Sequence, residues 1–122
     1  ETGKSECVLE GHTYHVQCVG WSADERHAIS CSTDVRLWDL STGECSRVFQ
    51  GHSKTIRSVR WSADGRSLIS ASYDATVRVW NVETGECLRI LKDGKAGFVN
   101  AVFTTDGSIV ACDEKGVIHR WG

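Results

Sequence analysis

A histidine, a serine and an aspartate recur in the same order in two consecutive stretches: His12, Ser30 and Asp34, then His52, Ser70 and Asp74. These residue types could supply a nucleophilic hydroxyl, its general base and the carboxylate that orients the base. Their recurrence argues for another role. An active site has no need of two copies at matching places, and each serine falls in a run that reads as the interior of a strand, not as a strained exposed turn. The set is read as architecture, and no catalytic residue and no enzymatic activity are expected. His12 and His15 lie three apart, but no Cys or carboxylate falls at a spacing that completes a metal site. With no Gly-rich phosphate loop and no paired carboxylates in a distinguishing context, neither metal nor cofactor is expected.

The six cysteines, Cys7, Cys18, Cys31, Cys45, Cys87 and Cys112, sit mostly in apolar, strand-like runs, where a thiol behaves as a small hydrophobe. No close pairing of the kind that marks zinc or redox sites is present. Cys45 and Cys87 occupy the same place in successive stretches, which argues for a structural slot. The expectation is reduced thiols and a cytoplasmic protein.

The elements that position these residues repeat with a period of about forty. Trp21 and Trp61 are 40 apart, Trp38 and Trp80 are 42 apart, and Trp80 and Trp121 are 41 apart. Such a period marks stacked supersecondary units that cannot bury their apolar faces alone, and it points to holding other molecules rather than transforming them. In the middle unit, strands are predicted over 56–61, 67–72 and 87–91, with a further strand in which Val77 and Val79 alternate with Arg78 and Trp80. Turns are predicted at Asp64-Gly65, at Tyr73-Asp74-Ala75 and at Thr84-Gly85. No segment carries a helical apolar period of useful length. The fold class is all-β, with four antiparallel strands per unit and three units, over approximately 6–44, 45–86 and 87–122.

Composition is that of an ordinary globular domain: 122 residues, 40% hydrophobic and 25% charged. A formal net charge of −2 argues against nucleic-acid binding, which calls for a basic surface. No apolar stretch approaches the ~20 residues needed to span a bilayer, and no secretory apolar region opens the sequence, so no membrane association is expected.

The Gly-His pairs, the Ser-Ala-Ser-x-Asp run and the closing Trp-Asp or Trp-Asn resemble the WD-repeat β-propellers over essentially the whole chain. The resemblance implies a hydrogen-bonded set in each blade: His12, Ser30, Asp34 and Trp38 in the first, and His52, Ser70, Asp74 and Trp80 in the second. Physical logic supports such a set independently. A buried indole N–H needs an acceptor, a Ser hydroxyl supplies one, and an imidazole can link that hydroxyl to a carboxylate. Each stranded buried group would cost ~1–3 kcal/mol. The resemblance also implies a partner-binding face, which maps to His15, Gln17 and Thr33 in the first unit and Thr55, Arg57 and Tyr73 in the second. Tyr73 suits a rigid amphipathic contact, and Arg57 could receive an acidic or phosphorylated segment. Lys54 and Arg60 read as solvated charges.

Two units depart from the pattern. Asp34 and Trp38 are four apart where Asp74 and Trp80 are six apart, so the first turn is expected to be tighter and its polar set distorted. In the third unit Lys92-Asp93-Gly94 replaces Gly-His, Ala111-Cys112-Asp113 replaces Ser-Ala-Ser, and Arg120 stands at the place of Val79, leaving Trp121 as the clear survivor. This unit is expected to be the least stable or to be specialised for an interface. Glu1-Thr2-Gly3 matches Glu83-Thr84-Gly85, which makes residues 6–9 a candidate outer strand offset to complete another blade. Three blades fall short of a ring, since propellers typically need about 4–8. The expected function is a non-catalytic protein–protein interaction scaffold with protein or peptide partners, closing its ring by self-association. A homodimer giving six blades is preferred to a homotrimer giving nine. The alternative is an excised sensor or regulatory segment of a larger multidomain signalling protein.

Overall fold

Short runs of alternating apolar residues, cut by tight turns, fold here into antiparallel meanders. The computed structural model describes residues 9–10, 12, 15–22 and 24–122. Among them are eleven strands: β1 Cys18–Trp21, β2 His27–Cys31, β3 Val35–Asp39, β4 Glu44–Phe49, β5 Ile56–Trp61, β6 Ser67–Ser72, β7 Val77–Asn81, β8 Cys87–Leu91, β9 Phe98–Phe103, β10 Ile109–Asp113 and β11 Ile118–Trp121. They form three antiparallel sheets, ordered β1-β2-β3-β4, β5-β6-β7-β8 and β9-β10-β11. The chain is all-β, and the sheets are propeller blades.

Turn chemistry sets the hairpins. Between β5 and β6, Gly65 takes φ +72°, a conformation open to glycine. The Asp64 carboxylate accepts hydrogen bonds from the Ser62 hydroxyl at 2.6 Å and the Arg66 N–H at 2.9 Å. Asp106 does the same between β9 and β10, accepting from Thr104 and from the Ser108 N–H. Between β6 and β7 the turn at Tyr73-Asp74-Ala75 places Ala75 at φ +70°. Asp74 holds it by accepting from the Thr76 N–H at 2.9 Å.

Strand alternation sends successive residues to opposite faces, so the middle blade contributes to two cores. Ile29, Cys31, Val35, Leu37 and Phe49 of the first blade pack with Ile56, Val59, Leu68 and Trp80 of the second. Phe49 meets Trp80 edge-on, with ring centroids 5.8 Å apart. On the other side of the middle blade, Ile69, Ala71, Val77, Val79 and Leu91 pack with Phe98, Ala101, Ile109 and Ala111 of the third. The innermost strand of the middle blade, β5, lies between β1 and β9. A polar clamp ties the outer rim. The Arg47 guanidinium on β4 donates to the carbonyls of Thr84 at 2.9 Å and Glu83 at 2.7 Å. Gly85 permits this, because a Cβ there would stand 2.8 Å from Arg47 Nη1.

Among the described residues the third sheet has three strands. Residues 6–9, the candidate outer strand expected to complete another blade, lie outside the described residues apart from Leu9. The sheets are also offset from the sequence repeat. Unit 45–86 opens inside β4, the outer strand of the first sheet, and runs through β5, β6 and β7 of the second.

Candidate functional site

The β6–β7 hairpin brings Ser70 opposite Arg78 and Leu68 opposite Trp80, which aims the Trp80 indole at the Ser70 hydroxyl. Trp80 Nε1–H donates to Ser70 Oγ at 2.9 Å. His52 Nε2 lies 2.7 Å from the same oxygen, and His52 Nδ1 lies 2.8 Å from Asp74 Oδ2. Direction follows from the chemistry of the ends. An indole N–H only donates and a carboxylate only accepts, so the Ser70 O–H donates a hydrogen bond to His52 Nε2, and His52 donates from Nδ1–H to Asp74. The His52 side chain is fully enclosed, and burial pushes its pKa below the ordinary value, outweighing Asp74. The neutral imidazole that the relay requires is thus the favoured form. Burial opposes the charge of Asp74, yet hydrogen bonds from Thr76 and His52 prevail and hold its carboxyl below the usual range. Ser70 is wholly buried, so its hydroxyl meets no solvent and both its hydrogen-bonding directions are in use.

In the first blade the set is assembled more loosely. Trp38 Nε1–H donates to Ser30 Oγ at 2.8 Å, and His12 Nε2 lies 2.5 Å from that oxygen. His12 Nδ1 is 3.4 Å from Asp34 Oδ1, while Arg36 Nε donates to the same oxygen at 3.2 Å. The cause is the turn shortened by two residues. It lacks counterparts of Ala75 and Thr76, so no Thr hydroxyl holds Asp34, and Arg36 takes a share of the carboxylate. Burial again depresses the histidine, His12.

The third blade holds a cluster that sequence reasoning missed. His119 Nε2 lies 2.8 Å from Asp113 Oδ2, and its Nδ1 lies 3.1 Å from Asp93 Oδ2. The imidazole stacks on Trp121 with centroids 5.8 Å apart and planes 11° apart, and Phe98 meets it edge-on at 5.2 Å. The Asp113 hydrogen bond, joined by that of Asp93, raises the His119 pKa. Both ring nitrogens face carboxylate oxygens, and only the imidazolium can donate to both. Strand pairing places His119 opposite Ala111, where the second blade has Arg78 opposite Ser70. The polar group comes from the strand and not from the preceding loop. The available signal was period-two alternation, which puts His119 and Trp121 on one face of β11.

The candidate contact residues of the second blade form a cluster. Arg57 donates from Nη1 to the Tyr73 hydroxyl, and its guanidinium carbon sits 5.0 Å from the centre of the Tyr73 ring. The Tyr73 N–H donates to the Thr55 carbonyl at 3.0 Å. Gly97 backs Tyr73 so closely that a Cβ there would fall 2.7 Å from Tyr73 Cα. In the first blade His15, Gln17 and Thr33 are all exposed. The Gln17 N–H donates to the carbonyl of Cys31, two residues before Thr33, at 2.8 Å. Lys54 and Arg60 are exposed, and Arg60 Nε donates to Asn100 Oδ1 at 3.4 Å. Among the described residues no group of three or more His, Cys, Asp or Glu is placed to hold a metal ion, and no helix is long and apolar enough to cross a membrane.

No curated protein matches this chain as a relative. The family model described as WD domain, G-beta repeat matches residues 3–39 and 43–81. Those two stretches take in both Gly-His pairs, both Trp-closed strands and more than half of the chain. Repeats of this kind generally mediate protein–protein interaction. The blades, their meander order and the family match agree, and the chain belongs to the WD40 repeat family.

Proposed function

We propose that the chain is a non-catalytic interaction scaffold whose two open blade faces are covered by a second copy, closing a six-bladed ring. One observation carries this reading. The outward face of the first blade exposes Val19 at 74% and Trp21 at 66%, whereas Val59, the middle-blade counterpart of Val19, is 5% exposed beneath the first blade. At the far end Ile118 is 64% exposed, whereas its counterpart Val77 is 0% exposed beneath the third blade. The molecule thus presents at one end the face that the middle blade turns toward its predecessor. At the other end it presents the face turned toward its successor. Such ends suit one another head to tail, and cyclic symmetry closes them. Six blades lie within the usual range of about 4–8, and the nine of a trimer do not.

A protein or peptide partner would bind across the Thr55, Arg57 and Tyr73 cluster and the corresponding His15, Gln17 and Thr33 end of the first blade. The guanidinium already held against Tyr73 is oriented to meet an acidic or phosphorylated segment by charge-assisted hydrogen bonds. The test is the solution mass of the purified chain by light scattering, beside Val19→Asp. A discrete dimer that Val19→Asp converts to monomer supports the ring. A monomeric wild-type chain would overturn self-closure and favour the sensor-segment reading, in which neighbouring blades of a longer protein cover these faces.

A further inference from the structure

Cys18 and Cys31 are 13 residues apart in sequence but stand directly opposite one another on the antiparallel strands β1 and β2. Their sulfurs are 2.9 Å apart. Residues facing each other across antiparallel strands have Cα atoms about 4.5–5.5 Å apart, within the range a disulfide spans. The repeat shows that the pairing is particular to this blade. The same two positions hold Ser58 and Ala71 in the middle blade and Asn100 and Cys112 in the third.

The two thiols differ in access and character. Cys18 is half-buried and lines a groove of about 480 Å³ with Val19, Gly20, Arg60 and Val102 among its walls. Cys31 is wholly buried, and its Sγ points at the Ile56 carbonyl 3.6 Å away. The hydrogen bond from Cys31, helped by the Val59 backbone and the charge of Arg60, lowers the Cys18 thiol to about 7 against burial. The same contact, with burial, pushes Cys31 upward. A thiolate lining a groove, with a buried thiol opposite it, is the arrangement of an attacking and a resolving cysteine.

We propose that Cys18 and Cys31 form an oxidation site at which a hydroperoxide closes an intramolecular disulfide between β1 and β2. The Cys18 thiolate attacks one peroxide oxygen and the O–O bond breaks. With hydrogen peroxide, Cys18 becomes a sulfenic acid and hydroxide leaves, taking up the proton Cys18 had released to give water. The Cys31 sulfur then attacks the Cys18 sulfur. The S–O bond breaks, and the departing hydroxide takes the Cys31 proton as a second water. Two thiols and one peroxide yield one disulfide and two waters. The bond would tie the innermost strand of the first blade to its neighbour, immediately after His15 and Gln17.

The test is peroxide titration of the full chain followed by alkylation of the remaining thiols and tryptic mapping. Cleavage after Arg26 separates Cys18 from Cys31, so a disulfide between them joins two peptides. The expected result is loss of two thiols of the six, with the Cys18 and Cys31 peptides joined within one chain. Cys31→Ala should halt at a sulfenic acid on Cys18, trapped by dimedone. Cys18→Ser should slow the first thiol loss about tenfold. Should Cys31→Ala fail to fold, the wild-type map decides, with fragmentation of the peptide spanning residues 5–26 to separate Cys18 from Cys7 and a non-reducing gel to separate a bond within one chain from one between chains. The proposal is overturned if Cys18 and Cys31 stay reduced while other cysteines oxidise, or if Cys18 joins Cys7 or a second chain instead.

Discussion

The middle and third blades hold their closing tryptophans by opposite electrostatic means. In the middle blade a neutral His52, fully enclosed, passes a hydrogen bond from Ser70 to Asp74 while Ser70 receives the Trp80 indole. In the third, His119 rises from the strand, lies flat against Trp121 and faces Asp113 and Asp93. Burial lowers the first histidine's pKa, and a carboxylate raises the second's. The difference shows what the position demands. An aromatic wall needs a polar group bound to a carboxylate beside it, but neither the origin of that group nor its charge is fixed by the blade geometry.

The largest effect should separate the two tryptophans. Trp80 is 1% exposed between two blades, so Trp80→Ala should cost ~3–5 kcal/mol in urea unfolding. Trp121 is half-buried, and Trp121→Ala should cost roughly 1–2 kcal/mol. Equal losses would break the comparison, because the third blade would then carry as much of the fold as the second.

Next in size is the relay itself. Ser70→Ala strands the Trp80 N–H and deprives His52 of a donor, at about 1–3 kcal/mol. Cys112→Ser on the third blade, beside a position already held by Ala111, should be smaller, within about 1 kcal/mol. Thermal unfolding of the two variants side by side sharpens the contrast.

Acidity should move the blades in opposite directions. The folded pKa of His119 is raised, so its stabilisation is fully present below the unfolded value of 6.5 and is lost as pH rises through the folded pKa. The folded pKa of His52 is depressed, so its contribution is present above 6.5 and declines as pH falls from there through the folded pKa. Amide exchange corrected for intrinsic rates should show β9–β11 opening more readily with rising pH, and β5–β8 with falling pH. Parallel trends in both sheets would refute the assignment of charge. The smallest stability change belongs to Tyr73→Ala, within about 1 kcal/mol despite its contacts with Arg57 and Gly97. Its larger consequence should be weakened partner binding, measured by titration calorimetry. Unfolding by this substitution, or binding left unchanged, would remove Tyr73 from the contact face.

Much of this was legible because a repeat reports each position more than once. Asp64-Gly65 could be read as a hairpin turn since carboxylate capping and positive φ are local matters, and Trp80 and Ser70 could be paired because the family resemblance implies a hydrogen-bonded set at those positions. His119 escaped notice for the converse reason. It stands where the second blade has Arg78, so matching residue types across units conceals it, and Asp93 reaches it from 26 residues away. The loosening at Asp34 was legible as a shortened turn. The intrusion of Arg36 was not, because it depends on where a long side chain finds room. Cys18 and Cys31, whose spacing resembles no redox motif, became a pair only through cross-strand register.

By itself the sequence determined the periodic elements: strand lengths, turns, the all-β class and the repeat family. These rest on backbone preferences and alternation, which act over a few residues and are copied in each unit. Tertiary structure decided which polar groups met and in what charge state. A pKa depends on how much water is excluded and which carboxylate stands opposite, and both are set by chain segments brought together from a distance. The same packing left Val19 and Trp21 bare at one end and Ile118 at the other, since a face is buried only when another blade lies against it.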